Sequence, residues 1–240
     1  MESSGRKPLV VVIVSMILML PIYPQSQAAT SEEHEWSLKR DRDGIKVFTR
    51  PIEGSRHKAV KATMTIQASP HAAVALVRDT DACQEWAALC KESYEAEVIS
   101  DTELYVYTYN DIPWPVSDRD ALAHVVWDYD PGTGAVTMLA RATKDRMDKV
   151  KGAVRILKAE SKWVFLPDTD GQLHIITEAH VDPNGPTPAW ITNLLLVDSP
   201  FETLSRMRDL IASGRYDNHR FDFILDRTDR NEPIDGARTQ

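Results

Sequence analysis

The side chains in this 240-residue chain that could do acid–base, metal or covalent chemistry are few and scattered. Glu178 and His180 stand two residues apart in QLHIITEAH, a spacing that puts both on one strand face and could serve an acid–base or metal pair. No third ligand stands near them, so a surface pair is the expected state. Tyr105, Tyr107 and Tyr109 share one face of LYVYTYN, where three phenols in a row could donate to a polar head group or pack against a neighbouring element. The two cysteines are Cys83 and Cys90. Positions seven apart on an unbroken helix lie about 10 Å apart along its axis, so pairing requires a break between them. Two packed thiols are the expectation, and without a flanking histidine they make a poor zinc site. No GxSxG elbow, phosphate loop, HExxH or Cys/His nucleophile arrangement is present. The expectation is no catalytic residue, no metal and no cofactor.

The most constrained stretch is DIPWPVSDRDALAHVVW, residues 111–127. Pro113 and Pro115 fix their own φ and push Ile112 and Trp114 toward extended conformations, which predicts a stiff connector holding Trp114 against a neighbour. Arg119 and Asp120 enter the following strand on opposite faces, each with a partner of its own. Beyond them Ala121, Ala123, Val125 and Trp127 share one apolar face that begins with small side chains, leaving room for a packed helix or a bound molecule. His124 falls on the other face and is expected to be packed or solvated.

Around this stretch the elements are legible. SEEHEWSLKR (31–40) is predicted to be a short helix anchored by Trp36, followed by a DRDG turn and two strands, IKVFT and 57–66. Ser69-Pro70 starts a helix with a cap and a proline at its first position, and a second short helix runs from Ala82 to Cys90. From Tyr94 the hydrophobic period is two through YEAEVIS, LYVYTYN, ALAHVVWDY, AVTMLAR, GAVRILKA, SKWVFLP and QLHIITEAH, with DPGTG and PDTDG as turns. Residues 189–211 return to helical period, with a kink expected near Asp198-Ser199 because Pro200 follows. Consecutive strands with short turns imply an antiparallel sheet, and the terminal amphipathic helix must bury its stripe against it. The fold class is α+β, with a curved antiparallel sheet wrapped around a long C-terminal helix.

The termini and the charge bound the setting. Arg6 and Lys7 precede an apolar run from Pro8 to Ile22, and small residues lead to Ala28. That pattern predicts a signal peptide over 1–28 with cleavage near Ala28, hence export to the periplasm or secretion. The run is shorter than the roughly 20 residues of a spanning helix, and an uncleaved anchor is the alternative. One domain over 29–214 follows, then a polar tail over 215–240 in which DRTDRNEPIDGARTQ frays. A net charge of −8 argues against nucleic acid as partner and against strong docking on anionic lipid.

DGIKV (43–47), PWPVSDRD (113–120), GAVR (152–155), SKWVFLP (161–167) and PNGPTPAWITN (183–193) together resemble the START family of lipid-transfer domains in letters, order and spacing, over roughly residues 33 to 212. The resemblance implies a helix-grip fold with an internal apolar cavity that holds one lipid. It implies no cofactor, a lid formed by the C-terminal helix and nearby loops, transient membrane contact and a monomer. The lining candidates are then Ala121, Ala123, Val125, Trp127, Tyr107, Tyr109, Trp190, Ile191, Leu194 and Leu195, with Trp190 as gate. Trp114, Arg119, Asp120 and Arg155 are structural candidates, Arg155 as a partner for Asp120 or another carboxylate. Some sterol-binding members carry an arginine six positions after the arginine of the RD pair; here that place is Val125, so the inward charge pair is not carried over. Two other classes remain: a cyclase- or hydrolase-type enzyme built on Tyr109 with His124 or Glu178, and a periplasmic protein-interaction domain with a solid core.

Overall fold

A computed structural model describes residues 35–144 and 146–225; the expected signal peptide over 1–28 and the stretch 226–240 lie outside the described residues. The chain opens with a hairpin rather than a helix. Strand β1 (Ser37–Arg42) pairs with β2 (Ile45–Arg50) across Asp43-Gly44, where both residues take positive φ (53° and 75°). A two-residue turn of that kind matches strand twist, and it overrides the helical preference of SLKR. Trp36 is still an anchor, clasped by Arg50 and Lys61 at 4.6 and 4.5 Å from its ring.

Strand β3 (Ala59–Gln67) leads to α1 (Pro70–Arg78), whose Ser69 cap accepts from the Ala72 N–H as expected. Helix α2 is only Cys83–Trp86. The chain turns through 87–89, and Leu89 has φ +68°. The expectation of two thiols is therefore wrong: with the helix broken at Ala87, Cys83 and Cys90 approach to 5.9 Å between Cα atoms and form a disulfide. The remaining strands are β4 (Cys90–Ser100), β5 (Glu103–Asn110), β6 (Asp118–Asp130), β7 (Ala135–Ala142), β8 (Ala153–Arg155), β9 (Lys158–Pro167) and β10 (Gln172–Asp182). They form one ten-stranded sheet in the order β1-β2-β3-β10-β9-β7-β6-β5-β4. All its neighbours are antiparallel except short β8, which lies parallel beside the start of β6.

The C-terminal helix has the expected break. Helix α3 (Ala189–Asn193) runs into a π-helical turn (Leu194–Asp198) and then α4 (Ser199–Ala212). Pro200, at the start of α4, has no N–H to extend the upstream ladder, which accounts for the irregular turn before it. Phe201, Leu204, Met207 and Ile211 recur at spacings of three and four and are all buried against the sheet and α1.

The chain does not become a free tail at 215. Tyr216 and Ile224 are buried, the Tyr216 hydroxyl donates to Asp79 at 2.9 Å, and Phe221 stacks on His71 at 6.3 Å. Residues 215–225 thus cover α1. The polar letters between them hid five large apolar residues, Tyr216, Phe221, Phe223, Ile224 and Leu225.

Candidate ligand-binding cavity

Three neighbouring strands carry bulky side chains at one end of the sheet's inner face and smaller ones at the other. At one end Met64, Ile175 and Phe165 are lateral partners and fill the core with bulk. One step along, the row is Val47, Ala62, Thr177 and Trp163; the next is Thr49, Val60, Ala179 and Ser161. Apart from Trp163, bulk gives way to alanine, valine, serine and threonine, and side chains this short leave space beneath the opposing helix. A cavity of about 750 Å³ lies over the small end, within the range of small-molecule sites.

Helix α3 and the π turn face it through Ile191, Leu195, Leu196 and Val197, and the 87–89 loop contributes Ala88 and Leu89. That loop is tied on both sides. The disulfide fixes its ends, and the Ala88 N–H donates to Thr203 Oγ1 of α4 at 3.0 Å. Ser199 Oγ also lines the cavity and is buried with no hydrogen-bond partner among the described residues.

Of the ten expected lining residues, Ile191 and Leu195 line this cavity. Ala121, Ala123, Val125 and Trp127 do lie on the inner face, but the hollow sits over β3, β10 and β9 instead. Val125 and Trp127 are buried in the packed core, Trp127 stacked on Phe165 at 6.4 Å. Leu194 is half-buried outside the lining, and Trp190 is 47% exposed.

Tyr107 and Tyr109 are on the wrong face. Tyr107 pairs with Leu122 and Tyr109 with Asp120, which places both phenols outside the sheet. Alternation showed that they share a face but not which one. Tyr107 packs with Tyr105 and Leu122 in a small outer cluster covered by Met147 and Val150. Burial and then the Asp120 charge push its phenol up to about 12. Tyr109 donates to Asp118 at 2.7 Å, and that bond pushes it to about 12 as well.

The enzyme alternative needed Tyr109 with His124 or Glu178 inside the cavity, and none of these lines it. His124 bonds Glu103 at 2.7 Å on the outer face. His180, across from Glu178's cavity-lining neighbours Thr177 and Ala179, bonds Ser55 Oγ at 2.9 Å. Among the described residues no three His, Cys, Asp or Glu side chains cluster as a metal site.

The proline loop does the reverse of what was expected for its tryptophan. Trp114 is 89% exposed, while its neighbours Ile112 and Val116 turn inward to line the cavity. Asp118 anchors the loop by accepting the Ile112 N–H at 3.0 Å. Burial pushes the Asp118 carboxyl up, but bonds from Tyr109 and Ile112 and the charge of Lys91 outweigh it and hold it below the usual range.

Arg119 and Asp120 then diverge, as strand geometry demands. Asp120 accepts from Arg155 at 2.8 Å in a fully buried pair on the outer side, so the expected Asp120–Arg155 partnership is present. The bond to Asp120 raises the Arg155 pKa further. Arg119 is 6% exposed and lines the cavity; its Nε donates to the Pro183 carbonyl at 2.7 Å and its Nη1 to the Ser117 carbonyl. Desolvation lowers its pKa.

A match to the START domain spans residues 23–212. The chain belongs to the START domain family. A STAR-related lipid transfer protein of Xanthomonas axonopodis is 34% identical, with a TM-score of 0.68 over 74% of this chain and 98% of that one. Human StAR-related lipid transfer protein 5 shares the fold at a TM-score of 0.67 and 15% identity, over 77% of this chain and 89% of that chain. An uncharacterized Pseudomonas aeruginosa protein is 28% identical over 181 residues, 75% of this chain and 89% of its own length. The curved sheet and C-terminal helix are the helix-grip arrangement of these START neighbours.

Proposed function

We propose that this START domain binds a single lipid or other apolar molecule in the cavity between β3, β10, β9 and the α3–π–α4 helix, and carries it between membranes. The observation that carries the reading is the three-strand step from bulky to small side chains, which leaves about 750 Å³ over an apolar floor. Moving a chain from bilayer to cavity gains little, since both are apolar. The protein's work is to keep each methylene, worth about 0.8 kcal/mol, out of water in transit.

In this reading α3 and the π turn are the lid. No residue of the π turn is fully buried, and segments with few buried contacts open at low cost. Trp114 and Trp190 are exposed and flank residues that line the cavity, and tryptophan favours the membrane–water interface. The lipid transfer activity in the name of the Xanthomonas axonopodis relative, at 34% identity, supports the same assignment. Export, as a monomer acting in the periplasm or outside the cell, is supported by the leader-like N-terminus and by the disulfide, a bond that persists in oxidising compartments.

Native mass spectrometry after incubation with a membrane extract tests the reading. A mass increase matching one lipid per chain is expected. Recovery of ligand-free protein alone, from every extract tried, would overturn it.

A further inference from the structure

We infer that the molecule held in this cavity carries an anion, a phosphate or a carboxylate, and that Arg119 receives it. The inference rests on the lipid-binding reading above and names the class of lipid.

Arg119 is a charged group taken out of water, and a buried charge of this kind persists when something pairs with it. Among the described residues no carboxylate lies within ion-pair distance of it; its two partners are neutral carbonyls, those of Pro183 and Ser117. Its Nη2 group donates to no described residue, although the side chain is 6% exposed and lines the cavity. Asp118 acts on Arg119 through space, but that carboxylate is already engaged by the Tyr109 hydroxyl and the Ile112 N–H. The neighbouring Asp120 is on the opposite face, bound to Arg155.

The rest of the wall has the same sign. Lys39, Arg56 and Lys58 also line the cavity, and among the described residues no aspartate or glutamate does, in a chain with 36 acidic against 28 basic residues. A neutral sterol or diacylglycerol has no use for such a wall. An acyl chain ending in a carboxylate, or a phospholipid whose phosphate sits at Arg119, places opposite charge against the open guanidinium edge while its tail lies over Ala62 and Ala179. An arginine fork suits either oxyanion.

The test uses the purified exported chain and pairs of probes that differ at the polar end alone: oleic acid against oleyl alcohol, and dioleoyl phosphatidate against dioleoylglycerol. Inorganic phosphate is the headless control. Competition with a fluorescent acyl probe reads affinity. Each anionic member is expected to bind about tenfold or more tighter than its neutral partner, the scale of a charge-assisted hydrogen bond. Arg119→Gln is expected to erase that difference and Arg119→Lys to keep part of it. The wild-type comparison stands by itself if Arg119→Gln does not fold.

Which anion wins identifies the head group. Equal binding of both members of each pair overturns the anion inference and leaves the lipid reading intact, whereas no binding by any lipid probe overturns the lipid reading itself. Binding of inorganic phosphate that acyl probes do not displace also overturns the inference, because the site would then serve a free anion.

Discussion

The Arg155 guanidinium donates to the Asp120 carboxylate at 2.8 Å in a pair that water does not reach, joining short β8 to the first residues of β6. Removing one partner strands the other charge in the interior. Arg155→Met is expected to cost about 3–5 kcal/mol in urea denaturation, and adding Asp120→Asn is expected to restore much of it. Single losses that simply add up in the double variant would show that the pair is not coupled.

Filling the small end of the cavity separates binding from folding. Ala179→Leu adds side chain to empty space, so the Tm is expected to shift by a few degrees at most while the bound-lipid mass is lost. Trp127→Ala removes packed core and is expected to cost about 3–5 kcal/mol.

The disulfide closes a short loop, with its cysteines seven positions apart. Cys83→Ser with Cys90→Ser is expected to lose about 2 kcal/mol. Hydrogen exchange at Leu89, on the cavity wall, is expected to quicken, because one of the two ties on that loop is gone.

Alkaline titration reads the outer face. Tyr107 is buried and sits by Asp120, so its phenol ionises at about 12 in the folded chain against about 10 in the unfolded one. A folded pKa above the unfolded one means this contribution to stability is complete below about pH 10 and is lost as pH rises toward 12. Absorbance of phenolate is expected to show a late phase, shared with Tyr109 and Tyr216, whose amplitude Tyr107→Phe lowers. Asp118→Asn is expected to bring Tyr109 back toward the ordinary phenol value, since the bond to Asp118 is the main cause of its shift.

Trp114 makes a clean test of membrane contact because it is so exposed. Trp114→Ala is expected to change stability by less than about 0.5 kcal/mol while slowing lipid exchange with vesicles. Unchanged exchange would remove Trp114 from the docking surface.

Much of the fold was legible because period and punctuation are local. Ser69-Pro70, most of the run of alternating strands and the Pro200 break are written in adjacent letters and stand where expected, whereas the expected strand GAVRILKA is divided at Ile156-Leu157 between β8 and β9. Trp36 to Arg40 deceived because a two-residue turn, not propensity, decides that segment.

The cavity was harder to place. Small residues on an inner face were the right signal, yet Ala121 and Ala123 belong to a region where the hollow is not. The productive set runs laterally through Ala62, Ala179 and Ser161, on strands far apart in the chain. The clue was plain within β10, as Ile175, Thr177, Ala179, and interrupted by Trp163 on β9, but only lateral register joins the small residues of three strands into one space. Tyr107 and Tyr109 failed for a simpler reason: alternation gives two faces and no sign.

The step at Met64, Ile175 and Phe165 has a further consequence. Those three pack behind the row Ala62, Thr177 and Trp163, where the cavity ends, so on the proposed lipid reading the Trp163 indole works as a ruler for the tail. Trimming Trp163 is expected to lengthen the longest tail accepted without altering the preference at Arg119.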